Sequence, residues 1–291
     1  MSTSPGSAPV PSTAALVTGC SSGIGRAVAE RLHAAGFPVY ATARRPESIA
    51  PLAGAGMTTL ALDVTDESSM VAAVDRVVTD HGAVGVLVNN AGYSLQGTVE
   101  RTPMGDVRRE FETNLFGLVR LTQLVLPGMR EQRYGRVVNM GSMGGRFTFP
   151  GAGFYHATKH GVEAISDALR LEVAPFGVKV VLIEPGPVQS RFGETAVSTI
   201  PEGDDSPYAR FHDEMGEAYA KAYRGRPTDL VVSPEAVADV VVKAVRDPSP
   251  RPRYAVGVAA RTLITSRRLL PDQAWDMVMR RIWPTPKAGP G

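Results

Sequence analysis

From Thr13 onward, short apolar runs alternate with longer stretches whose apolar residues recur at helical spacing. Ala14-Ala15-Leu16-Val17, Val39 to Ala43, Thr58 to Leu62, Val84 to Val88, Val137 to Met140 and Val178 to Ile183 read as strands. They are almost unbroken in apolar character, as strands buried on both faces are. Between them, Ile24, Ala27, Val28, Leu32 and Ala35 trace one helical face, and Gly36 stands at its C-terminal stop. Met70, Val71, Val74, Val77 and Val78 trace a second. A long helix is expected over about Met104 to Arg130, and another over Phe154 to Val173. Ser233-Pro234-Glu235 reads as a helix start, with serine at the cap and proline at the first helical position. Strand and helix alternating through short connections predicts an α/β fold, a doubly wound parallel sheet in a single domain.

Residues 190 to 228 break the pattern. They are polar, carry Pro201, Pro207 and Pro227, and follow the sixth strand. An insertion at the carboxyl end of a strand is where a substrate lid belongs; a plain surface excursion is the alternative. The Ser-, Pro- and Ala-rich start, residues 1 to 12, lacks the basic and apolar blocks of a signal peptide and is expected to be a disordered tail. The main domain is then 13 to 260, with a C-terminal extension over 261 to 291.

Composition narrows the function classes. The 291 residues carry 31 Lys plus Arg against 29 Asp plus Glu, so nothing calls for a nucleic-acid or anionic-membrane partner. Cys20 is the one cysteine, which excludes an internal disulfide and fits a reducing cytoplasm. No stretch approaches the ~18 to 20 continuous apolar residues of a membrane span. A cytoplasmic protein is expected.

The candidate chemistry begins at Thr18-Gly19-Cys20-Ser21-Ser22-Gly23-Ile24-Gly25, between the first strand and first helix. Glycines let the backbone approach a ligand closely, and N–H groups at a helix start suit a pyrophosphate. The spacing is Gly-x-x-x-Gly-x-Gly. Further along come Asn89-Asn90-Ala91-Gly92 closing the fourth strand, Asn114 followed by Gly117, and Ser142 ending the fifth strand. Tyr155-His156-Ala157-Thr158-Lys159 begins 13 residues after Ser142, and Pro185-Gly186 follows the sixth strand. In this order the motifs resemble the short-chain dehydrogenase/reductase family, over about residues 12 to 260. The resemblance implies a Rossmann-type sheet and a nicotinamide cofactor.

Tyr155 and Lys159 are four residues apart, on one helical face. A free tyrosine, with a pKa of about 10, is a poor base at neutral pH, and a neighbouring cation lowers that value. The resemblance implies that Tyr155 exchanges the proton, that Lys159 also bonds the nicotinamide ribose, that Ser142 orients the substrate oxygen, and that Asn114 holds a water linking Lys159 to solvent. It further places Gly19, Ser21, Ser22, Gly23, Ile24, Gly25, Asn90, Ala91, Gly92, Pro185, Gly186 and Val188 around the cofactor. Asp63-Val64 resembles the adenine-contacting pair. Ser190 stands where the family often has threonine. After the second strand come Arg44-Arg45, with no acid before Glu47. Arginine there accommodates the 2′-phosphate of NADP, whereas Asp or Glu would bond the 2′-hydroxyl of NAD, so the expected cofactor is NADP(H).

The likeness is strongest to the 17β-hydroxysteroid and retinol dehydrogenase branch, through Thr18 to Gly25, Val39-Tyr40-Ala41-Thr42, Pro175-Phe176-Gly177-Val178 and Glu184-Pro185-Gly186-Pro187-Val188. It implies a ketone, aldehyde or alcohol on an apolar steroid-, retinoid- or polyketide-like molecule. By position, Met143, Gly144, Phe149, Phe192, Phe211, His212 and Met215 are pocket candidates. His156 and His160 have a zinc-compatible spacing, but Ala157 stands where a zinc protease has its base and no third ligand is evident, so no metal is expected. Residues 261 to 283 alternate basic and apolar positions; packing on the lid or on a second subunit is preferred to a membrane-surface helix. The family's habit implies a homodimer or homotetramer. A non-catalytic NADP(H)-binding regulator is the alternative function, and it would be expected to lack Tyr155 or Lys159.

Overall fold

A computed structural model describes residues 10–201, 206–224 and 230–287. In chain order the elements are β1 (Ala15–Val17), α1 (Gly23–Ala34), β2 (Val39–Ala43), α2 (Ala50–Gly54), β3 (Thr58–Ala61), α3 (Glu67–His81) and β4 (Val86–Asn89). Then follow α4 (Met104–Phe111), α5 (Gly117–Glu131), β5 (Gly135–Met140), α6 (Gly153–Val173) and β6 (Val178–Pro185). The chain ends in α7 (Arg191–Val197), α8 (Ala209–Arg224), α9 (Pro234–Arg246), β7 (Arg253–Val256), α10 (Val258–Leu269) and α11 (Asp272–Ile282). The strands form one seven-stranded sheet in the order β3-β2-β1-β4-β5-β6-β7, with every pair parallel. This is the Rossmann-type doubly wound sheet. Its order reverses between β1 and β4, and ligands bind such sheets in the crevice outside the strand carboxyl ends at that point.

Each face of the sheet has its own core. On one, Val28 and Leu32 of α1 and Val237, Val241 and Val245 of α9 pack on Val17, Val88 and Val138. On the other, Val74 and Val77 of α3 and Leu121, Val125 and Met129 of α5 pack on Leu16, Leu87 and Val137. Burying a side chain of this size contributes roughly 1.5 to 3 kcal/mol, so the two layers supply most of the driving force. Ser233 caps α9, its Oγ accepting from Ala236 N at 3.1 Å.

The expected long helix over 104 to 130 is one rod with an interruption. Glu112–Phe116 forms a π-helical turn between α4 and α5. Such turns mark functional positions in many helices, and this one carries Asn114. Gly117, directly after it, admits the backbone of Val64: a Cβ there would lie 2.3 Å from Val64 O.

One expectation at the ends needs correction. Ser12 belongs to the folded domain, not to a tail: its N–H donates to Gln132 Oε1 at 2.8 Å, while residues 1–9 lie outside the described residues. At the C-terminus, Trp283 and residues 284–287 are placed, with Trp283 half-buried; 288–291 lie outside. The region 190 to 228 folds as α7 and α8, and its residues 202–205 and 225–228 also lie outside. Here Phe211, Met215 and Tyr219 of α8 form an apolar cluster with Ala196, Ile200, Phe149 and Trp283. Phe147, Trp275 and Met279 form a second beside it. The C-terminal helices therefore fold against the segment after β5, and Trp283 joins them to α7 and α8. No described helix is long and apolar enough to cross a membrane.

Candidate active site

A cleft of about 1440 Å³ opens at the carboxyl ends of the strands. That exceeds the roughly 300 to 1,000 Å³ typical of one small-ligand pocket, and leaves room for two ligands side by side. One arm is lined by Gly19, Ser21, Ser22, Gly23, Ile24, Arg44, Arg45, Asp63, Val64, Asn90, Ala91 and Gly92. The other is lined by Ser142, Met143, Gly144, Phe149, Tyr155, Lys159, Pro185, Gly186, Val188 and Phe192.

The first arm is built by close backbone contact. Gly19 and Gly23 hold φ of +73° and +57°, which side chains other than glycine's disfavour. Thr18 staples this turn to the end of β4: its Oγ1 accepts from both Asn90 N and Ala91 N at 2.9 Å. Asn90 returns the contact, its Nδ2 donating to Thr18 O at 2.9 Å. Gly25 does not line the cleft. A Cβ there would meet Gly19 O and Asn90 Nδ2 at 2.4 Å, so its smallness serves the packing of turn on helix. Backbone N–H groups at the start of α1 remain at the cleft wall, with Arg44 and Arg45 exposed at its outer edge. These residues fit a nicotinamide dinucleotide: a tight turn for its pyrophosphate and two cations beyond.

In the second arm, Lys159 is buried and donates from Nζ to Met140 O at 2.8 Å, with Nζ 5.8 Å from the Tyr155 ring centre. Burial pulls the Lys159 ammonium down to about 8, opposed by the negative charge of Glu110. Tyr155 is half-buried and its ring lies 5.8 Å from that of Phe192. Ser142, at the start of a short 3-10 turn, accepts from Gly144 N at 3.0 Å. Asn114 lies outside the cleft lining. Its Nδ2 donates to Tyr93 O at 2.8 Å and its Oδ1 accepts from Tyr93 N at 3.0 Å, so its side chain fixes the segment after β4.

Of the substrate-side candidates, Met143, Gly144, Phe149 and Phe192 reach the cleft. Phe211, His212 and Met215 do not: they are buried on the inner face of α8, whose apolar stripe is consumed in packing. His156 is buried 4.4 Å from the Phe149 ring and lies close under Gly144, where a Cβ would be 2.3 Å from its ring. His160 keeps a local contact, Nδ1 to His156 O at 2.8 Å. The sequence reading missed Tyr219, Ser94, Leu95 and Thr199, which line the cleft from segments with no motif. It also missed Glu110, buried one helical turn before Asn114. The spacing of those two was a usable signal, since residues four apart share a helical face.

Comparison with known proteins agrees with this geometry. Residues 13–200 match the family model of the short chain dehydrogenases. The chain belongs to the short-chain dehydrogenase/reductase family. It is an oxidoreductase of that family acting on CH–OH groups. It is 34% identical over 279 residues to the uncharacterized oxidoreductase YusZ of Bacillus subtilis, covering 92% of this chain and 97% of that one. It is also 34% identical to the 3-ketodihydrosphingosine reductase of Bacteroides thetaiotaomicron, over 91% of this chain and 96% of the relative. Identity is again 34% to the NADPH-dependent 3-dehydrocapnine reductase of Ornithobacterium rhinotracheale, covering 91% and 95%. A crystal structure of a short-chain dehydrogenase from Streptomyces avermitilis superposes with a TM-score of 0.78 at 36% identity, covering 93% of this chain and 98% of that one.

Proposed function

We propose that the protein interconverts a ketone or aldehyde and its alcohol on an apolar substrate, with NADP(H) as cofactor. The observation that carries this reading is the pairing of half-buried Tyr155 with buried Lys159 on the wall of a cleft that Ser142 shares. NADPH, when bound, supplies the hydride. Tyr155 donates the proton to the substrate oxygen in reduction and accepts it in oxidation. Lys159, held by Met140 O, lowers the cost of the phenolate through its charge. Ser142 orients the substrate oxygen and stabilises the charge that develops on it. Gly19, Ser21, Ser22, Gly23 and Ile24 would hold the pyrophosphate, Asp63 and Val64 the adenine, and Pro185, Gly186 and Val188 the carboxamide. Arg44 and Arg45 would hold the 2′-phosphate.

An apolar substrate is supported by Met143, Phe149, Phe192 and Tyr219 around the reacting end. Relatives named as a 3-ketodihydrosphingosine reductase and a 3-dehydrocapnine reductase point the same way. α7 and α8 act as the lid in this reading. A homo-oligomer joined through the helices bearing Asn114 and Tyr155 belongs to the same reading, and the exposure there of Phe116 (51%) and Leu171 (67%) supports it.

The deciding experiment is NADPH oxidation against steroid, retinoid and long-chain ketones, with Tyr155→Phe beside the unaltered enzyme. Loss of turnover in the variant with NADPH binding retained is expected. Turnover by Tyr155→Phe at the unaltered rate would assign the proton to another group. NADPH binding without turnover on any ketone would favour the binding-only function.

A further inference from the structure

The turn that carries Ser142 rests on one face of α6. A Cβ on Gly144 would lie 2.3 Å from the His156 ring, and a Cβ on Gly145 would lie 3.0 Å from both Lys159 O and Glu163 Cγ. His156, Lys159 and Glu163 stand at i, i+3 and i+7, so a single helical stripe backs the turn. The carboxyl of Glu163 fills the hollow behind it. Oε1 lies 3.2 Å from where a Cβ of Gly145 would stand and 3.5 Å from that of Gly141, so a glycine on each side of Ser142 makes room for this acid. Oε2 accepts from Arg146 Nη1 at 3.3 Å and from Arg253 Nε at 3.0 Å. Arg146 ends the turn itself: its N–H donates to Met143 O at 3.0 Å, next to Gly145 N donating to Ser142 O at 2.9 Å. Arg253 reaches in from β7 and also pairs with Asp167 of α6.

A buried ion network of this kind adds little net stability over apolar side chains of the same volume, so its contribution lies in where it holds the groups around it. We propose that Glu163, through Arg146 and the two flanking glycines, sets the Ser142 hydroxyl against Tyr155 and so acts as a positioning residue for the reaction. This rests on Ser142 acting on the substrate oxygen. Ser142 Oγ accepts from Gly144 N at 3.0 Å, which leaves its own proton to donate. Where that proton points follows the turn, and the turn follows Glu163. Tyr155 stands about two turns earlier on the same helix. One rigid rod therefore carries the proton donor and supports the second group that meets the substrate oxygen. The cofactor side keeps a tie of its own. Glu184, directly before Pro185-Gly186, has Arg146 and Arg253 each 3.7 Å away and retains both when Glu163 is removed. Glu163 touches neither substrate nor cofactor and acts through Ser142.

The test is a double-mutant cycle in the full chain, with Glu163→Ala, Ser142→Ala and the two combined. The probe is NADPH-dependent reduction of 9,10-phenanthrenequinone, an apolar dicarbonyl. Ser142→Ala should lower kcat by roughly 10²- to 10³-fold, the loss of one donor to the reacting oxygen. Glu163→Ala should lower kcat by roughly five- to thirtyfold, since a displacement of about 1 Å can cost about 100-fold. The Kd for NADPH, read by fluorescence titration, should stay within twofold. In the Ser142→Ala background, adding Glu163→Ala should change kcat by less than twofold, because the group it positions is gone. Glu163→Gln keeps the shape and an oxygen for both arginines, and should regain most of the rate lost in Glu163→Ala. If Glu163→Ala folds poorly, Arg146→Met enters the same cycle with the same expectation. A kcat for Glu163→Ala within twofold of the unaltered enzyme overturns the proposal. Equal losses with and without Ser142 also overturn it, and show a support for the domain at large. If Ser142→Ala alone keeps full turnover, the failure lies in the role given to Ser142 and takes the positioning with it.

Discussion

Lys159 spends one of its three ammonium protons on Met140 O, 2.8 Å away at the end of β5, and this places its charge beneath the ring of Tyr155. The strand that ends in this carbonyl continues directly into Gly141 and Ser142. The bond therefore ties the helix carrying Tyr155 to the turn carrying Ser142. Lys159→Met should keep the packing of the aliphatic stem but lose both the anchor and the cation. Turnover is expected to fall by about 10² to 10⁴, the range of a lost acid–base contribution. Circular dichroism should still report a folded chain. Steady-state rates with NADPH and the best ketone of the panel provide the check; a loss below tenfold would show the cation to be dispensable.

Arg44 and Arg45 are exposed at the rim of the cofactor arm. In Arg44→Asp a cation suited to phosphate is replaced by a carboxylate suited to a ribose hydroxyl. The ratio of kcat/KM for NADPH over NADH is expected to fall by roughly 10- to 150-fold, the sum of one lost charged contact and one new repulsion at roughly 1.5 to 3 kcal/mol together. Parallel titrations with the two cofactors measure it. An unchanged ratio would move 2′-phosphate recognition away from this turn.

The sheet was legible because its signals are local. Val39 to Ala43 could be read to the residue, since a strand buried on both faces leaves an almost unbroken apolar run. The glycine turn, Ser142, Tyr155 and Lys159 were legible because chemistry fixes residue type and spacing together. The substrate side was not. Phe192 lines the cleft while Phe211 is buried on the inner face of α8, although both are aromatics of one polar region. Which aromatic faces inward is set by how α8 packs on Trp283 and Phe149, residues distant in sequence. Glu110 was hidden for a related reason. Its neighbours Arg108, Arg109 and Glu112 make the segment read as a solvated face, and only the fold encloses it.

Trp283 packs behind Phe149, which lines the cleft. Its Nε1 donates to Pro150 O at 3.0 Å, and its ring lies tilted 4.5 Å from that of Phe149 and edge-on 5.2 Å from that of Tyr219. One residue thus joins the C-terminal extension, the loop before α6 and α8. Trp283→Ala should destabilise the packing of α8 by about 2 to 4 kcal/mol, a little under the usual cost of a fully buried tryptophan. In the proposed reading NADPH lies in the arm built on the glycine turn, so the expected outcome is a higher KM for the ketone with cofactor affinity unaltered. Removing residues 261 to 291 should act in the same direction and more strongly. Equal loss of both affinities would show that the extension supports the whole domain.

Glu163 and Glu184 provide a test through pH. Both are buried, bridged by Arg146 and Arg253, and each leaves Oε1 without a donor. Burial, and then the charge of Glu163, push Glu184 up to about 7. The unfolded carboxyl ionises near 4.5, so between that value and about 7 the folded protein holds the extra proton. Stability is then fully present below the unfolded value and declines as pH rises through this window, because the unfolded state binds fewer protons. Glu110 is shifted in the same direction and adds to the slope. Glu184→Gln keeps a donor toward Glu163 and has nothing to ionise. Urea unfolding should show the variant gaining on the order of 2 kcal/mol relative to the unaltered protein between about pH 5 and pH 8. Parallel stability curves for the two proteins across that range would show that the pair does not share a proton.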